Sequence, residues 1–321
     1  MPTAAIDVNG TQIYYQDSGP PQNTLGYTTI FVTHGVVVNG VAFERVLPFA
    51  GTHGLRIITM NNRDYSGSTP YTDAEIADFL DTVTEVQASA VRRWGEETAS
   101  FLRFVCQMLG VPRAGGGAGG IILMAEGLGN IATLAILGDA RTLGPELSTA
   151  LAPYLRSVVL YAKANAFVDW CSAHYAPISS VADITPEALR ARDTPLPATP
   201  SLRKLTDEDL ARMTNPGVTG RSALIITTAV EIRQTHLRCA FMDAEPVFPG
   251  VNILALWCDS SVWDTLWGAR VVDELMKEEP EPGKRKRRTE LVGIEDSNHF
   301  VHLEQPERLV RLLAELTSKN S

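Results

Sequence analysis

The segment that most constrains the fold of this chain is the run IILMAEGLGNIATLAIL, residues 121–137. Four apolar residues lead into a stretch of small residues, and apolar residues at helical spacing resume immediately afterwards. The pattern predicts a buried strand, a very tight turn and a helix. Other apolar runs predict strands at 28–35, 55–61, 157–162 and 251–257. Because these strands alternate with helical patterns, we expect an α/β fold around a mostly parallel, doubly wound sheet.

Residues 165–245 break this alternation. They lie between two predicted core strands and are rich in proline and charge, with short helical patterns such as PEALRAR (186–192) and TDEDLARM (206–213). This composition indicates a helical cap, or lid, inserted into the core. We therefore expect a core made of residues 1–164 and 246–321 and a cap made of residues 165–245.

Composition limits the partners of the chain. Its 321 residues carry a net charge of −9, which disfavours nucleic acid and anionic membrane surfaces because both would repel an acidic protein. No apolar run reaches the roughly 18 residues that a membrane span needs, and the N-terminus lacks a basic region followed by an apolar stretch. The four cysteines are scattered, as expected for free thiols. We expect a cytoplasmic protein with a small-molecule substrate or ligand.

The glycine-rich run AGGGAGG (114–120) does not predict a nucleotide site. It lacks the GKS or GKT ending of a phosphate-binding loop and precedes its strand instead of following it. The cysteines and histidines show no metal-ligand spacing. The sequence therefore predicts neither a cofactor nor a metal.

Four landmarks, in order along the chain, resemble the α/β-hydrolase superfamily with a cap domain. The first is the strand ending in Thr33–His34–Gly35, which is similar to the motif that begins the oxyanion loop. The second is the turn NNRDYSGSTPY (61–71), and the third is the tight turn at residues 125–129. The fourth, SNHFVHLEQPERL (297–309), is similar to the loop that delivers the catalytic histidine. The resemblance covers nearly the whole chain and implies the α/β-hydrolase fold.

The resemblance also identifies a missing nucleophile. In the superfamily this turn, the nucleophile elbow, reads small–x–nucleophile–x–small, and here it reads Ala125–Glu126–Gly127–Leu128–Gly129. Gly127 therefore stands at the nucleophile position and provides no attacking atom, although glycine adopts the left-handed backbone of this turn freely. Glu126 lies one residue early, and we expect its side chain to leave the turn in another direction.

The other site residues follow from the same resemblance. His299 matches the catalytic histidine. The usual place of the acid falls on Ser261, which leaves Asp259 or Asp264 as candidates to pair with His299. Some members carry the acid after the preceding strand, where this chain has Ala162 and Lys163.

An oxyanion hole needs backbone donors and no particular side chain, so it survives the loss of the nucleophile. We expect the N–H groups of Val36 and Leu128 to form it. His34 and Glu126 lie beside them in the oxyanion or substrate-binding region. For His34 we favour a structural role in bracing the oxyanion loop.

Three hypotheses for function remain. The first is a non-hydrolytic enzyme (lyase, isomerase, cyclase or aldol-type condensation) that acts on a small apolar carbonyl compound, with His299 as acid and base. The second is a non-catalytic protein that binds a small molecule. The third is an ester or lactone hydrolase whose nucleophile was lost or replaced at Gly127. We favour the first, because a histidine and an oxyanion hole are retained without a nucleophile.

Overall fold

The structure is a computed structural model that describes residues 2–161, 168–192 and 194–319. Within this part of the chain, eight strands form one sheet in the order β1-β2-β4-β3-β5-β6-β8-β10, and β7 pairs with β9. The strands are β1 (Thr3–Ala5), β2 (Gln12–Asp17), β3 (Thr28–Thr33), β4 (Leu55–Met60), β5 (Ile121–Glu126), β6 (Leu155–Tyr161), β7 (Met242–Asp243), β8 (Asn252–Cys258), β9 (Arg285–Lys286) and β10 (Thr289–Ile294).

The sheet is parallel from β4 to β10, and only β1 and β2 run antiparallel at its edge. Its central strands β3, β4 and β5 are buried at every position. Near-continuous apolar strands are typical of parallel sheets covered by helices on both faces. The predicted α/β-hydrolase fold with a mostly parallel sheet is confirmed.

The α-helices connect these strands. They are α1 (Leu47–Ala50), α2 (Asp73–Ala77), α3 (Thr84–Met108), α4 (Gly129–Gly138), α5 (Gly144–Leu151), α6 (Val168–Ser172), α7 (Pro186–Arg190), α8 (Asp207–Met213), α9 (Val230–Phe241), α10 (Trp263–Lys277), α11 (Val301–Glu304) and α12 (Pro306–Lys319). Short 3₁₀ helices occur at Gly40–Val46, Gly51–His53, Asp78–Leu80, Ala140–Thr142, Val181–Asp183, Ser201–Lys204, Pro216–Gly220 and Ser222–Thr227. No helix among the described residues is long and apolar enough to cross a membrane.

Side chains of β5 alternate between two apolar layers, one on each face of the sheet. Ile121 and Leu123 pack in the layer that contains residues of α3, α4, α9 and α10. Ile122 and Met124 pack in the layer that contains residues of α11 and α12. This period of two follows from the pleat of a strand. It assigns each residue at the end of β5 to one face, and the site depends on that assignment.

The segment predicted as a cap contains α6 to α9, and its predicted start at residue 165 lies outside the described residues. Its last helix, α9, packs against α4 and contributes Ala240 and Phe241 to a core layer. The earlier helices α6 to α8 are short, as the many prolines of this segment lead one to expect. The division into core and cap stays a prediction.

Candidate active site

The turn after β5 brings Gly127 to the carboxyl edge of the sheet. Gly127 has a φ of +56°, in the left-handed region that favours glycine, and α4 begins two residues later. A Cβ added at Gly127 would lie 3.1 Å from the Cα of Gly35, which is closer than side chains normally approach. The turn therefore holds the two loops of the site in close contact at a position without a side chain.

Glu126 points its carboxylate into this site, so the expectation that its side chain leaves in another direction was wrong. Its Oε1 accepts a hydrogen bond from Nε2 of His299 at 2.7 Å, and its Oε2 accepts one from the backbone N–H of Gly35 at 2.6 Å. The reason is the alternation of β5. Glu126 follows Ile122 and Met124 on the face covered by α11 and α12, and the loop that carries His299 leads directly into α11.

Glu126 and His299 form a buried hydrogen-bonded pair, with the two residues only 7% and 2% exposed. Burial by itself raises the pKa of the Glu126 carboxyl, but the hydrogen bond and the charge of His299 outweigh it and hold that pKa below its usual range. The carboxylate is therefore ionised next to the imidazole. This arrangement places a carboxylate and an imidazole in direct hydrogen-bond contact.

The ring of His299 is held on its other sides by aromatic groups. It stacks on Tyr161 at 5.9 Å between centroids, with an interplanar angle of 17°, and Phe300 meets it edge-on. The hydroxyl of Tyr161 donates to the carbonyl oxygen of His299. Nδ1 of His299 is buried and has no hydrogen-bond partner among the described residues. The imidazole is thus fixed by Glu126 and Tyr161.

The expected acid partners of His299 are not in place. Asp259 accepts hydrogen bonds from Ser260 Oγ at 2.8 Å and from the backbone N–H groups of Asp296 and Ser297, at 3.0 and 3.3 Å. It therefore holds the loop that leads to His299 and does not bond the imidazole. The reason is that β10 ends beside β8, so the carboxylate that follows β8 meets backbone donors first.

Asp264 lies in the first turn of α10, where it lines an apolar cavity, and it makes no hydrogen bond to His299 within the described part of the chain. The alternative acid positions, Ala162 and Lys163, lie outside the described residues. The carboxylate that bonds His299 is instead that of Glu126, which contacts Nε2 of the imidazole.

His34 braces the oxyanion loop. Its Nδ1 donates to the carbonyl oxygen of Gly35 at 2.9 Å, and its Nε2 accepts from the backbone N–H of Asn62 at 2.9 Å. Burial lowers the pKa of His34 to about 4, so the ring is neutral. Because one ring nitrogen donates and the other accepts, His34 links the oxyanion loop to Asn62, which lies just after β4.

The two expected oxyanion donors directly follow the two glycines that meet at the turn, Gly127 and Gly35. Leu128 follows Gly127 directly and is the N-cap residue of α4, where backbone N–H groups lack helical partners. Val36 follows Gly35, whose own N–H binds Glu126. Neither the N–H of Leu128 nor that of Val36 has a hydrogen-bond partner among the described residues. Both are available to an oxygen atom of a ligand.

A short strip of the predicted cap closes over the oxyanion loop, which the sequence analysis did not predict. The backbone N–H of Asn39 donates to Met213 at 2.8 Å, and that of Asn215 donates to Val37 at 2.7 Å. The Asn39 side chain also donates to Oδ1 of Asn215 at 2.8 Å. Val37 is held at a φ of +67°, which is unfavourable for a β-branched residue. These contacts join residues far apart in sequence.

A cavity of about 410 Å³ reaches Gly127 from the other face of the sheet. It lies between α4, α9 and α10, and Glu126 and His299 are not among its lining residues. Asn130 stands where the cavity meets the turn, and its side-chain N–H donates to the carbonyl oxygen of Gly127 at 2.9 Å. The acid–base pair and the cavity thus approach Gly127 from opposite faces.

The described residues contain no group of histidine, cysteine and carboxylate side chains that could hold a metal ion. Cys106, Cys171, Cys239 and Cys258 are free thiols.

Comparison with known proteins supports the fold. The model of the Alpha/beta hydrolase family matches residues 30–312. A comparison with curated proteins found no match.

Several solved structures share the fold. One is from a study of carboxylesterases of Nitrososphaera gargenis, with a TM-score of 0.55, 13% identity and all of both chains covered. Another is an epoxide hydrolase from Vigna radiata, with a TM-score of 0.54, 16% identity, and 99% of this chain and 97% of that chain covered. A third is a loop variant of a haloalkane dehalogenase from Bradyrhizobium elkanii, with a TM-score of 0.53, 13% identity, and 99% and 96% coverage. At this identity the similarity concerns the fold.

Proposed function

Because the chain belongs to the alpha/beta hydrolase family, we propose that it is an enzyme of this fold that transfers a proton on a carbonyl compound and does not hydrolyse it. One observation carries the proposal: Glu126 meets Nε2 of His299 at 2.7 Å beside a glycine at the nucleophile position. A family histidine uses one ring nitrogen to activate the nucleophile. Here the carboxylate of Glu126 bonds the imidazole, and the next residue, Gly127, has no side chain that could act as a nucleophile.

The proposed step starts with a carbonyl compound seated against Gly127. Nδ1 of neutral His299, whose Nε2–H donates to Glu126, takes the proton from the carbon next to the carbonyl. The electron pair of that C–H bond forms the C=C bond of the enolate, and the carbonyl π pair moves onto oxygen. The N–H groups of Val36 and Leu128 stabilise the resulting enolate oxygen. Return of the proton to another carbon gives an isomerisation, and attack of the enolate carbon on a second carbonyl gives a condensation or cyclisation.

Electrostatics support this role for the pair. General acid–base catalysis needs a group that can both accept and return a proton, and an imidazole held by a carboxylate provides one because the negative charge of Glu126 compensates the imidazolium that forms on proton uptake. Apolar side chains surround the site, which favours a substrate that is mostly apolar. Hydrolysis through a covalent intermediate would need a side-chain oxygen at residue 127, and glycine has none.

The test is hydrogen–deuterium exchange at carbon, followed by NMR in D₂O with acetophenone and cyclohexanone as probe ketones and with a small-molecule extract of the source organism. We expect exchange or conversion by the wild-type protein. Glu126→Gln and His299→Gln should each lower the rate by about 100-fold or more, the usual contribution of a general acid or base. His53→Gln, which removes a histidine away from the site, is the matched control.

Unchanged exchange rates in both site variants would contradict the proposal. So would a wild-type protein that neither exchanges the ketones nor converts any component of the extract. Circular dichroism of each variant separates loss of catalysis from loss of folding.

A second function, binding of a small molecule without conversion, is favoured by a separate observation. The apolar cavity at Gly127 is not lined by Glu126 or His299, so a ligand there would not contact the acid–base pair. Native mass spectrometry after incubation with the extract tests this alternative. A retained and unaltered ligand would favour it, whereas a released product would exclude it.

A further inference from the structure

The cavity beside Gly127 is a groove with two helical walls. One wall is a single face of α9, with Val230, Arg233 and Leu237 spaced three and four residues apart. The other wall is a single face of α10, with Trp263, Trp267 and Val271 spaced four residues apart. Between them lies open space, although Leu237 and Val271 also pack against the core and the ring of Trp263 meets that of Trp170 edge-on.

The floor of the groove is the sheet itself. Leu160, Ala255 and Leu291 occupy one row across β6, β8 and β10, because Ala255 is level with both of the others. The small side chain of Ala255 lies at the centre of that row. The groove is therefore elongated and apolar, and one end of it reaches Gly127 and Asn130.

The rim of the groove exposes apolar surface. Trp263 and Trp267 are 48% and 39% exposed, and Val230 is 47% exposed. All three are large apolar side chains that line the same cavity. Exposed apolar side chains that cluster around a concave site, and are not scattered, mark a surface that another molecule covers.

Arg233 brings a positive charge to the lining of the groove. Its Nη1 donates to the carbonyl oxygens of Ile226 and Thr228, both at 2.8 Å, and to Thr228 Oγ1 at 3.3 Å. These acceptors are neutral, and no carboxylate among the described residues forms an ion pair with Arg233. A half-buried guanidinium that no protein carboxylate bonds can receive the carboxylate of a ligand, through two parallel hydrogen bonds.

The other polar groups of the groove are consistent with this choice. Asp264 also lines it and has an interaction partner of its own. Glu231 acts on Arg233 only through its charge, from the neighbouring turn of α9. At the Gly127 end, Oδ1 of Asn130 is buried without a hydrogen-bond partner among the described residues, so it can accept from a ligand hydroxyl.

We propose that this groove binds an elongated apolar carboxylic acid, with its carboxylate on Arg233 and its chain lying between α9 and α10 towards Gly127. The proposal goes beyond proton transfer at Glu126 and His299, since binding in the groove requires no reaction. A neutral apolar molecule and a second copy of this chain are the competing occupants, and the test distinguishes them.

The test is a titration of tryptophan fluorescence with three probes below their micelle concentrations: sodium laurate, dodecanol and dodecyltrimethylammonium. Trp263 and Trp267 at the rim report on occupancy. We expect saturable binding of laurate at least about tenfold tighter than that of dodecanol, which lacks the charge-assisted hydrogen bonds. Dodecyltrimethylammonium should bind most weakly, because its head is repelled by the guanidinium.

Two variant pairs sharpen the test. Arg233→Gln should weaken laurate binding about tenfold and leave dodecanol binding unchanged. Its control, Arg238→Gln, removes the same charge from the same helix at a residue paired with Glu278 outside the groove. Gly268→Leu should abolish binding of both probes by filling the groove. Gly268→Ala should keep it, since a Cβ at Gly268 meets no atom within 4 Å.

Three outcomes would overturn the proposal. Equal affinity of wild-type protein for laurate and dodecanol would assign the groove to a neutral ligand. Binding that persists in Gly268→Leu would place the ligand elsewhere. A dimer in sedimentation experiments that buries the rim tryptophans and resists laurate would assign the groove to a second copy. None of these outcomes depends on carbon exchange, so the proposed proton transfer and the groove can fail independently.

Discussion

At the scale of single residues, the site depends on two neighbours with different backbone roles. Gly127 occupies the apex of the turn in the left-handed region, where a residue with a Cβ is strained by about 1–3 kcal/mol. Glu126 is the last residue of β5 and obeys the alternation of that strand. A side chain at residue 127 would therefore stand at the apex of the turn, whereas the carboxylate of residue 126 lies on a sheet face, where it contacts His299.

Gly127→Ser tests this distinction. We expect it to lower the free energy of unfolding by about 1–3 kcal/mol, because serine is strained at this φ and its Cβ would crowd Gly35. We also expect no esterase activity towards p-nitrophenyl butyrate. Glu126 already bonds Nε2 of His299, and Nδ1 has no acid partner among the described residues. Urea unfolding and release of p-nitrophenol are the two measurements.

The double variant Glu126→Gln/Gly127→Ser serves as the comparison, since the amide no longer holds the imidazole by charge. Strong esterase activity in the single variant would contradict the prediction. It would favour the hypothesis that Gly127 replaced the serine of a working hydrolase.

At the scale of elements, the oxyanion loop between β3 and the 3₁₀ helix Gly40–Val46 is held from two sides. On the core side, His34 and Tyr65 bind its backbone, with the Tyr65 hydroxyl accepting from the N–H of Val37 at 3.2 Å. On the other side, Asn39 binds the strip around Met213 and Asn215. Because these hydrogen bonds join the loop to the strip, we expect that loosening one of them loosens the other.

Asn39→Ala tests that coupling. The Asn39 side chain is fully buried, accepts from the N–H of Val41 at 2.9 Å and donates to the carbonyl oxygen of Arg212 at 2.9 Å. Its removal loses an N-cap and leaves buried partners unpaired, which we expect to destabilise the fold by about 2–3 kcal/mol. The amide hydrogen of Asn215 should exchange faster, as measured by hydrogen–deuterium exchange. Asn9→Ala, at an exposed turn, should change neither quantity.

At the scale of the whole molecule, buried histidines make stability depend on pH. Burial lowers the pKa of His34 to about 4 and that of His302 to about 3. In the unfolded chain both titrate near the ordinary value of roughly 6.5. Between these values the unfolded state binds more protons than the folded state, so stability rises with pH in this window and is lost on acidification.

We therefore expect the free energy of unfolding to fall between pH 6.5 and pH 4, by about 1.4 kcal/mol per pH unit for each of the two histidines. Glu126 adds a further loss at lower pH, because its pKa is below its usual range in the folded state. Urea titrations at a series of pH values measure the slope. His302→Gln should reduce it by about one proton, whereas an unchanged slope in that variant would exclude His302 as a source.

Local periodicity was enough to predict the sheet. The structure has β3 at Thr28–Thr33, β4 at Leu55–Met60 and β5 at Ile121–Glu126, within the predicted apolar runs. The tight turn at Gly127 followed from the small residues around it. These features were predictable because they depend on side-chain pattern and backbone freedom over a few residues.

The direction of the Glu126 side chain was predictable in principle from the strand pattern, whereas its contact with His299 was not. Ile122, Met124 and Glu126 share a strand face by alternation alone. That pattern indicates where Glu126 points, although not what it meets there. The order of the strands in the sheet, which brings the His299 loop beside that face, is a property of the folded chain.

The sequence by itself therefore determined the fold, the tight turn at Gly127 and the loop that carries His299, because each of these is encoded in a short contiguous segment. Only the tertiary structure decided that Glu126 binds His299, that Asn39 binds Asn215 and that α9 and α10 leave a groove between them. Those contacts join residues far apart in the chain. Their geometry depends on how whole helices and strands pack, which no local pattern specifies.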